Sequence, residues 1–338
     1  GVALNSQARH QFRQYQQNIA TANGIDNTAE RFNVQPVPQQ KIISAYQKSA
    51  EFLQMINVIT VDDAHGQKLG LSVGSVASNT NTLIQPRRPT AMGAIDELDQ
   101  YLCTQTNYDV AYLYALLNAW SHQPNFQVML AQMVVKAIAL DKIKIGFNGL
   151  ERRATTDKNA YPMLQDVNIG WLEKIRIWAP ERVYVGEDQG GIIKTRIGAG
   201  ETFKTIDALV ETGINEFIAE QHRESPLVAI CGRGILNDKY LPMMNQVLDP
   251  TEQLAVRNIY ANKQLGTLPA MHVPNFPSGK ILITSADNLS IYIQNGSIRR
   301  HIRDEPEWDR LADYQCANEA FVVEDYEKCC LLENVEYV

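Results

Sequence analysis

The chain has 338 residues, 45% of them hydrophobic and 20% charged, and its formal net charge is −7. This composition is typical of a globular protein with a sizeable core, and the acidic balance argues against a dedicated nucleic-acid binder, which needs clustered lysines and arginines. The sequence has no apolar run of about 18 residues and opens on a polar stretch, so it predicts neither a membrane span nor a secretory signal.

The first predicted element is an amphipathic helix that ends at Asn23-Gly24. Its narrow apolar stripe consists of Ala8, Phe12, Tyr15 and Ile19. We expect residues 1–40 to form a detachable arm in which Phe12 and Tyr15 contact another subunit. An extended, proline-containing link then leads to a second helix in residues 41–57. The sequence begins at Gly1 rather than at methionine, which suggests a processed or engineered end.

Residues 58–114 predict a long two-stranded ribbon, because apolar residues alternate with polar ones near residue 70 and turn formers follow. A ribbon of two strands buries little surface and leaves both edges unpaired, so it is marginal in water by itself. We therefore expect a neighbouring subunit to support it. The suspected contact residues are Lys68, Leu69, Leu71, Arg87 and Arg88.

A long helix is predicted from Pro124 to about Ile145, with apolar residues on more than one side. The stretch GFNGLERRATTDKNAYPMLQDVNIGWL, residues 146–172, then joins this helix to a second one that Asp166 is expected to cap. We interpret this stretch as a joint between helices. Its Arg152 and Arg153 are expected to be solvated or to reach a neighbouring subunit.

The remainder predicts a mixed α/β lobe. Its predicted elements are a hairpin of residues 183–185 and 192–197, a helix at 206–217, a buried strand at 227–231, helices from 234 to about 261, and a strand at 281–284. Asn295-Gly296 suits the two-residue turn of another hairpin. The last residues are expected to be strands that return to an earlier sheet.

Candidate chemistry is sparse. The best metal candidate is the cluster Asp62, Asp63 and His65, which has no second cluster at ligand spacing, so a polar turn is the simpler interpretation. Gly198-Ala-Gly200 has neither the full glycine spacing nor the Lys-Ser/Thr of a phosphate-binding loop, and a strand-to-helix turn is favoured.

Nucleophilic and acid-base sites are equally weak. The five cysteines are odd in number and in no catalytic signature, which favours small buried thiols in a reducing compartment. The segment RDEPEWDR interleaves carboxylates with arginines, so ion pairs are favoured over a paired acid and base. We expect no enzymatic activity, no cofactor and no metal, with a small oligomeric cytosolic enzyme as the alternative class.

Six separated stretches resemble one known family. They are GFNG at Gly146, PMLQDVNIGWL at Pro162, NDKYLP at Asn237, LPAMHVPNFP at Leu268, NLSIY at Asn288 and VVEDY at Val322. In this order they resemble the major capsid proteins of P2-like contractile-tailed phages. The resemblance implies an α+β fold of the Hong Kong 97 type. It also implies an icosahedral head shell that encloses double-stranded DNA, assembled in the host cytoplasm.

The resemblance further implies partners and segments. The partners are other copies of the chain in hexamers and pentamers, an internal scaffold that includes a protease, a portal protein, optionally a decoration protein, and weak non-specific contact with packaged DNA. The segments are an N-terminal arm at 1–40, a linking helix at 41–57, an E-loop at 58–114, a peripheral domain with its spine helix at 115–160, an axial domain at 161–285, and a β return to the peripheral domain at 286–338.

Two further expectations follow from the same resemblance. Maturation cleavage is expected near Phe32, between the arm helix and the proline-containing link. Some relatives of this fold crosslink subunits through lysine and asparagine, and Lys68 is a conceivable donor in the ribbon. An encapsulin-like compartment of the same fold, enclosing enzyme cargo, is the alternative function.

Overall fold

The computed structural model describes residues 2–68, 76–89, 100–246 and 249–338, and the side chains of residues 260 and 261 lie outside the description. The chain forms two compact units. The first contains Gly1–Ala64, Leu102–Gly170 and Ile291–Phe321. The second contains His65–Tyr101, Trp171–Ser290 and Val322–Val338.

The described helices are α1 Ser6–Asn23, α2 Pro36–Ser49, α3 Glu51–Met55, α4 Tyr114–Trp120, α5 Phe126–Asn148, α6 Trp171–Trp178, α7 Ile206–Phe217, α8 Arg233–Met244 and α9 Pro250–Ala261. Local signals explain several of their ends. The side chain of Asn5 accepts a hydrogen bond from the Ala8 amide at the start of α1, and Gly24, with φ of 65°, ends it. Thr205 caps α7 in the same way.

The described strands are β1 Phe32–Asn33, β2 Asn57–Val61, β3 His65–Gln67, β4 Gln100–Leu102, β5 Thr104–Asn107, β6 Val110–Leu113, β7 Val183–Tyr184, β8 Glu187–Gln189, β9 Ile192–Ile197, β10 Val228–Cys231, β11 Gln264–Leu265, β12 Leu268–His272, β13 Ile281–Thr284, β14 Leu289–Gln294, β15 Arg299–Glu305, β16 Arg310–Val323, β17 Cys330–Leu332 and β18 Val335–Tyr337.

The main sheet of the first unit has seven strands in the order β1-β15-β16-β14-β2, and β5 and β6 also pair with β16. The prediction of a hairpin at Asn295-Gly296 was wrong, because β16 lies between β14 and β15. The hairpin is instead β15 with β16, and it closes through a 3-10 turn at Pro306–Trp308 and Asp309, whose φ is 48°. Pairing of distant segments therefore decided the order of strands.

The N-terminal arm packs against the first unit itself. Phe12 is 2% exposed, and its ring lies 5.8 Å from that of Tyr112. The hydroxyl of Tyr15 accepts a hydrogen bond of 3.0 Å from Arg300. The arm is thus not detached in this structure, and the expectation that Phe12 and Tyr15 contact another subunit loses its basis, because the chain buries both side chains.

The link after the arm also differs from the prediction. Pro36 begins α2. Proline lacks the backbone N–H donor, but at the first helical position this donor would have no partner within the helix, so nothing is lost. The predicted single helix of residues 41–57 is instead α2 and α3, separated at Ala50, whose backbone is extended. The prolines therefore start a helix rather than form an extended connection.

The predicted ribbon is shorter than residues 58–114. β2, β5 and β6 belong to the seven-stranded sheet, and β3 and β4 form a separate two-stranded sheet. Leu69 and Leu71, two of the suspected contact residues, lie outside the described residues. The strands at the two ends of the predicted ribbon are thus paired within the seven-stranded sheet of the same chain.

The second unit is built on a six-stranded sheet in the order β11-β12-β10-β13-β17-β7. Its core contains Ile206, Leu209, Val210 and Ile214 from α7, packed with Ile281, Ile283, Cys330 and Leu332 from the sheet. The predicted helix at 206–217 is confirmed, and so are the strands at 227–231 and 281–284 to within one residue. Strands β18, β9 and β8 form a further sheet.

Two predictions for this unit were wrong. β7 pairs with β17 rather than with β9, whose hairpin partner is β8. Residues 286–338 were predicted to return as strands to the peripheral domain. Residues 322–338 instead belong to the second unit, where β17 pairs with β13. The chain therefore crosses between the units once more near its end.

Candidate assembly surfaces

The joint of residues 146–172 is a folded loop with its own hydrogen bonds. The amide of Gly149 donates to Ile145 O (2.8 Å) at the end of α5, and the amide of Gly170 donates to Gly149 O (3.0 Å). The amide of Leu150 donates to Gln165 O at 2.8 Å. These contacts bring the two ends of the loop together.

Asp166 supports this loop rather than the helix after it. Its Oδ2 accepts a hydrogen bond of 2.8 Å from the Asp157 amide, and its carbonyl accepts one of 3.0 Å from the Arg153 amide. α6 begins only at Trp171, so the predicted capping role of Asp166 was wrong. The interpretation of the stretch as a joint agrees with these bonds.

Both predicted arginines of the joint are exposed. Arg152 donates to Gln105 O at 2.8 Å, and Arg153 pairs with Glu151 at 2.7 Å. They border a cleft of about 610 Å³ in the first unit, which Asp109 and Asp141 also line. Burial raises the pKa of both aspartates above the usual range. The cleft therefore combines a basic rim with two carboxyl groups whose ionised form is disfavoured.

A buried polar cluster connects α5 to the main sheet. Lys142 is paired with Glu319 of β16, and their side chains are 2% and 0% exposed. Tyr108 donates to the same carboxylate and accepts a 3.3 Å hydrogen bond from Lys142. Burial, and then the charge of Glu319, raises the pKa of Tyr108 well above its usual value. Each charge in the cluster therefore has a partner of opposite charge or a hydrogen bond.

An apolar groove lies between α4 and α5, with a volume of about 200 Å³. Leu117, Phe126 and Leu130 form its floor, and all three are buried. Trp120 and Met133 border it and are 46% and 55% exposed. Sequence reasoning missed this groove as a site, although the apolar residues on several sides of α5 were the signal. We therefore treat this groove as a candidate interaction site.

A second exposed apolar feature is the loop of residues 76–89. Leu83 is 95% exposed and Ile84 is 81% exposed, and Arg87 and Arg88 beside them are exposed as well. Both arginines are thus accessible, as a contact role requires.

Lys68 does not share this exposure. Its side chain is buried, its Nζ donates to Val323 O at 2.9 Å, and it lies 4.5 Å from the ring centroid of Tyr326. A buried amine with these partners is poorly placed to contact or crosslink another subunit.

The second unit has exposed apolar side chains too. Ile192 and Ile193, next to the turn between β8 and β9, are 59% and 48% exposed. Leu241 of α8 and Leu254 of α9 are 51% and 60% exposed. Each unit therefore carries apolar surface that the described part of the chain leaves uncovered.

The structure does not bring the predicted metal candidates together. Asp62, Asp63 and His65 are exposed, and the carboxylate of Asp62 accepts a 2.7 Å hydrogen bond from Asn295. Among the described residues, the group that could supply three metal ligands is His222, Asp325 and Glu327. Asp62 is therefore part of a polar turn contact, the simpler of the two interpretations.

The other chemical candidates also have structural roles. Gly198 and Gly200 lie in a turn after β9, where the Gly198 amide donates to Phe203 O at 3.0 Å. Glu305 of the segment RDEPEWDR accepts hydrogen bonds from Tyr314, Arg303 and Arg310, which lower its pKa to about 2. The carboxylate is thus held as an ion and is unsuited to general acid-base catalysis near neutral pH.

The cysteines are also poor candidates for nucleophilic catalysis. The five cysteines are buried and form no disulfide, as predicted for Cys103, Cys231 and Cys316, and burial raises the pKa of Cys329 to about 12. A thiol with such a pKa is a poor nucleophile.

Within the described residues, no helix is long and apolar enough to cross a membrane.

Comparison with known proteins identifies the family to which these surfaces belong. Residues 11–335 match the family described as phage major capsid protein, P2 family. The chain is 38% identical to the capsid proteins of Escherichia phage P2, over 98% of this chain and 96% of that one. It is 37% identical to the major capsid protein of Serratia phage KSP20, over 97% of each.

A solved structure extends the similarity to the fold. A chain of the satellite phage P4 procapsid that includes the size determination (Sid) protein has a TM-score of 0.82 and 35% identity, with 99% of each chain covered. The α+β fold is thus that of tailed-phage capsid proteins, as the resemblance implied. The chain belongs to the P2 family of phage major capsid proteins.

Proposed function

We propose that copies of this chain form hexamers and pentamers that close into an icosahedral head shell around double-stranded DNA. The observation that carries the proposal is the exposed apolar surface on both units, in a chain that matches a capsid family over residues 11–335. Many modest interfaces in a closed symmetric array add up to a stable particle. Family membership favours the phage head over an encapsulin-like compartment.

The proposed partners are an internal scaffold that includes a protease, a portal protein and, optionally, a decoration protein. Contact with the packaged DNA is proposed to be weak and non-specific. The net charge of −7 supports this, because a strongly basic lining would bind phosphate groups tightly and hinder packaging and release.

We assign the first unit to the peripheral domain and the second, apart from its residues 65–101, to the axial domain. The first unit contains the long helix α5, which corresponds to the predicted spine, and the second contains the α/β lobe. Residues 76–89 belong to the proposed E-loop. In this assignment the exposed arginines Arg87, Arg88, Arg152 and Arg153 are available for contacts between subunits.

The exposed side chains of Leu83 and Ile84, which we call the loop tip, offer a direct test of the assembly proposal. Leu83→Ser with Ile84→Ser is expected to leave the fold of the single chain unchanged, because both side chains are more than 80% exposed. Burying a side chain of this size contributes about 1.5–3 kcal/mol, so its loss at every contact should reduce assembly sharply. We expect at least about a tenfold fall in the yield of sedimenting shells when the chain is expressed with its scaffold.

The control is Asn79→Ser, an exposed polar substitution in the same loop. It should assemble like the parent chain. Normal shell yield from the double variant would show that the tip is not an assembly contact. Circular dichroism of the unassembled variants verifies that the fold is retained.

We also propose that maturation removes the arm by cleavage near Phe32. Ala29, Glu30 and Arg31 form an exposed segment just before β1, where a protease has access. Phe32 itself pairs with Arg300, and the Val34 amide donates to Ile298 O at 2.7 Å, so a cut beyond Phe32 would require β1 to open.

Intact-mass measurement of the capsid protein from mature heads tests the cleavage. We expect a species that lacks the residues before about Phe32, with the full-length chain retained in particles made without an active protease. Full-length protein in DNA-filled heads would contradict the proposal.

A further inference from the structure

His222, Asp325 and Glu327 converge where two short 3-10 turns of the second unit meet, and they have no place in the assembly proposal. The turns are Glu220–His222 and Tyr326–Lys328. Each of the three side chains offers one ligand atom, and the three atoms lie within 4.8 Å of one another. We propose that they form a binding site for one divalent transition-metal ion, and we call them the turn site.

His222 and Asp325 lie within ion-pair distance, but their contact lacks the direction of a hydrogen bond. His222 Nε2 and Asp325 Oδ2 are 3.0 Å apart, and the side chains are only 13% and 11% exposed. Neither buried atom has a well-directed hydrogen-bond partner. An ion at about 2.1 Å from each atom would subtend an angle of about 90° between them, within the range of five- or six-coordinate ions. One cation would satisfy both atoms.

The backbone holds the turn site in place before any ion binds. The Ala219 amide donates to Glu327 O at 3.0 Å, which joins the two turns. The second oxygen of Asp325 accepts a 2.9 Å hydrogen bond from the Glu327 amide, so Oδ2 remains for a ligand role. The Asp325 amide in turn donates to the side chain of Asn288 at 2.9 Å. A site fixed in this way loses little conformational entropy on binding.

The donor set defines the class of ion. One imidazole nitrogen with two carboxylate oxygens suits first-row dications such as Zn²⁺ and Co²⁺ better than Ca²⁺ or Mg²⁺, which prefer oxygen ligands alone. Glu327 is exposed, and its Oε2 accepts a 3.0 Å hydrogen bond from Gln221. Its position at the rim leaves solvent to complete the coordination sphere. A bound ion would link two segments that are distant in sequence.

The test uses the full-length chain stripped of metal with a chelator. Titration with Co²⁺, followed by visible absorption, and with Zn²⁺, followed by calorimetry, should show one saturable site per chain and a higher melting temperature. His222→Gln and Asp325→Asn should each weaken binding at least tenfold. The asparagine keeps an oxygen for the Glu327 amide, so this variant preserves the turn.

Glu220→Gln is the matched control, since Glu220 is an exposed carboxylate on the same turn as His222. It should bind both ions like the parent chain. The proposal is overturned if the parent chain shows no saturable binding of either ion, or if the two ligand variants bind as it does. The melting temperature of each metal-free variant shows whether it is folded, so loss of binding in an unfolded variant is not mistaken for support.

Discussion

Lys142→Met is expected to lower the free energy of unfolding by about 3–5 kcal/mol, because it leaves the carboxylate of Glu319 buried without its cation. Both side chains are almost fully buried, at 2% and 0% exposure, so water cannot replace the lost partner. Methionine preserves most of the length and helix propensity of lysine in α5. Denaturant unfolding of the unassembled chain measures the effect.

Two companion variants identify the cause. Lys142→Met combined with Glu319→Leu removes both charges and should be less destabilised than Lys142→Met alone. Arg153→Met breaks an ion pair whose partners are 47% and 48% exposed, and should change stability by less than about 1 kcal/mol. A loss below 1 kcal/mol for Lys142→Met would contradict the view that this pair anchors α5 to the sheet.

Gly149→Ala is expected to destabilise the chain by about 1–3 kcal/mol or more, because the joint has no room for a side chain. A Cβ at this position would lie 2.1 Å from Asn168 O and 2.6 Å from Ile145 O. Both atoms belong to the backbone, so the loop itself would have to move. Thermal and denaturant unfolding of the unassembled chain provide the measurement.

The comparison with two other glycines makes this test specific. Gly170→Ala should destabilise the chain in the same way, since its Cβ would lie 2.3 Å from Gly146 O. Gly234→Ala, in α8, meets no atom within 4 Å and should raise stability by up to about 1 kcal/mol. Unchanged stability in both joint variants would mean that the loop adapts freely and is no rigid joint.

Elements with a strong local period could be predicted from the sequence. The apolar stripe of α1, the long apolar run of α5 and the spacing in α7 all lie within single segments, and these helices form close to the predicted places. Periodicity reports which face of an element is buried. It does not report what covers that face, which is why the arm was expected to need another subunit.

The errors lie where distant segments pair. The insertion of β16 between β14 and β15, and the entry of the tail into the second unit, depend on contacts that no local pattern encodes. The same holds for the candidate sites. His222 and Asp325 are brought together by the fold alone, and Lys142 meets Glu319 in the same way. The family, by contrast, was recognisable because its separated motifs are local.

Assembly into a shell can be tested by electron microscopy of the purified chain, expressed with and without its internal scaffold and first separated by size. We expect closed polyhedral particles of uniform size when the scaffold is present. A discrete small species under both conditions would contradict it.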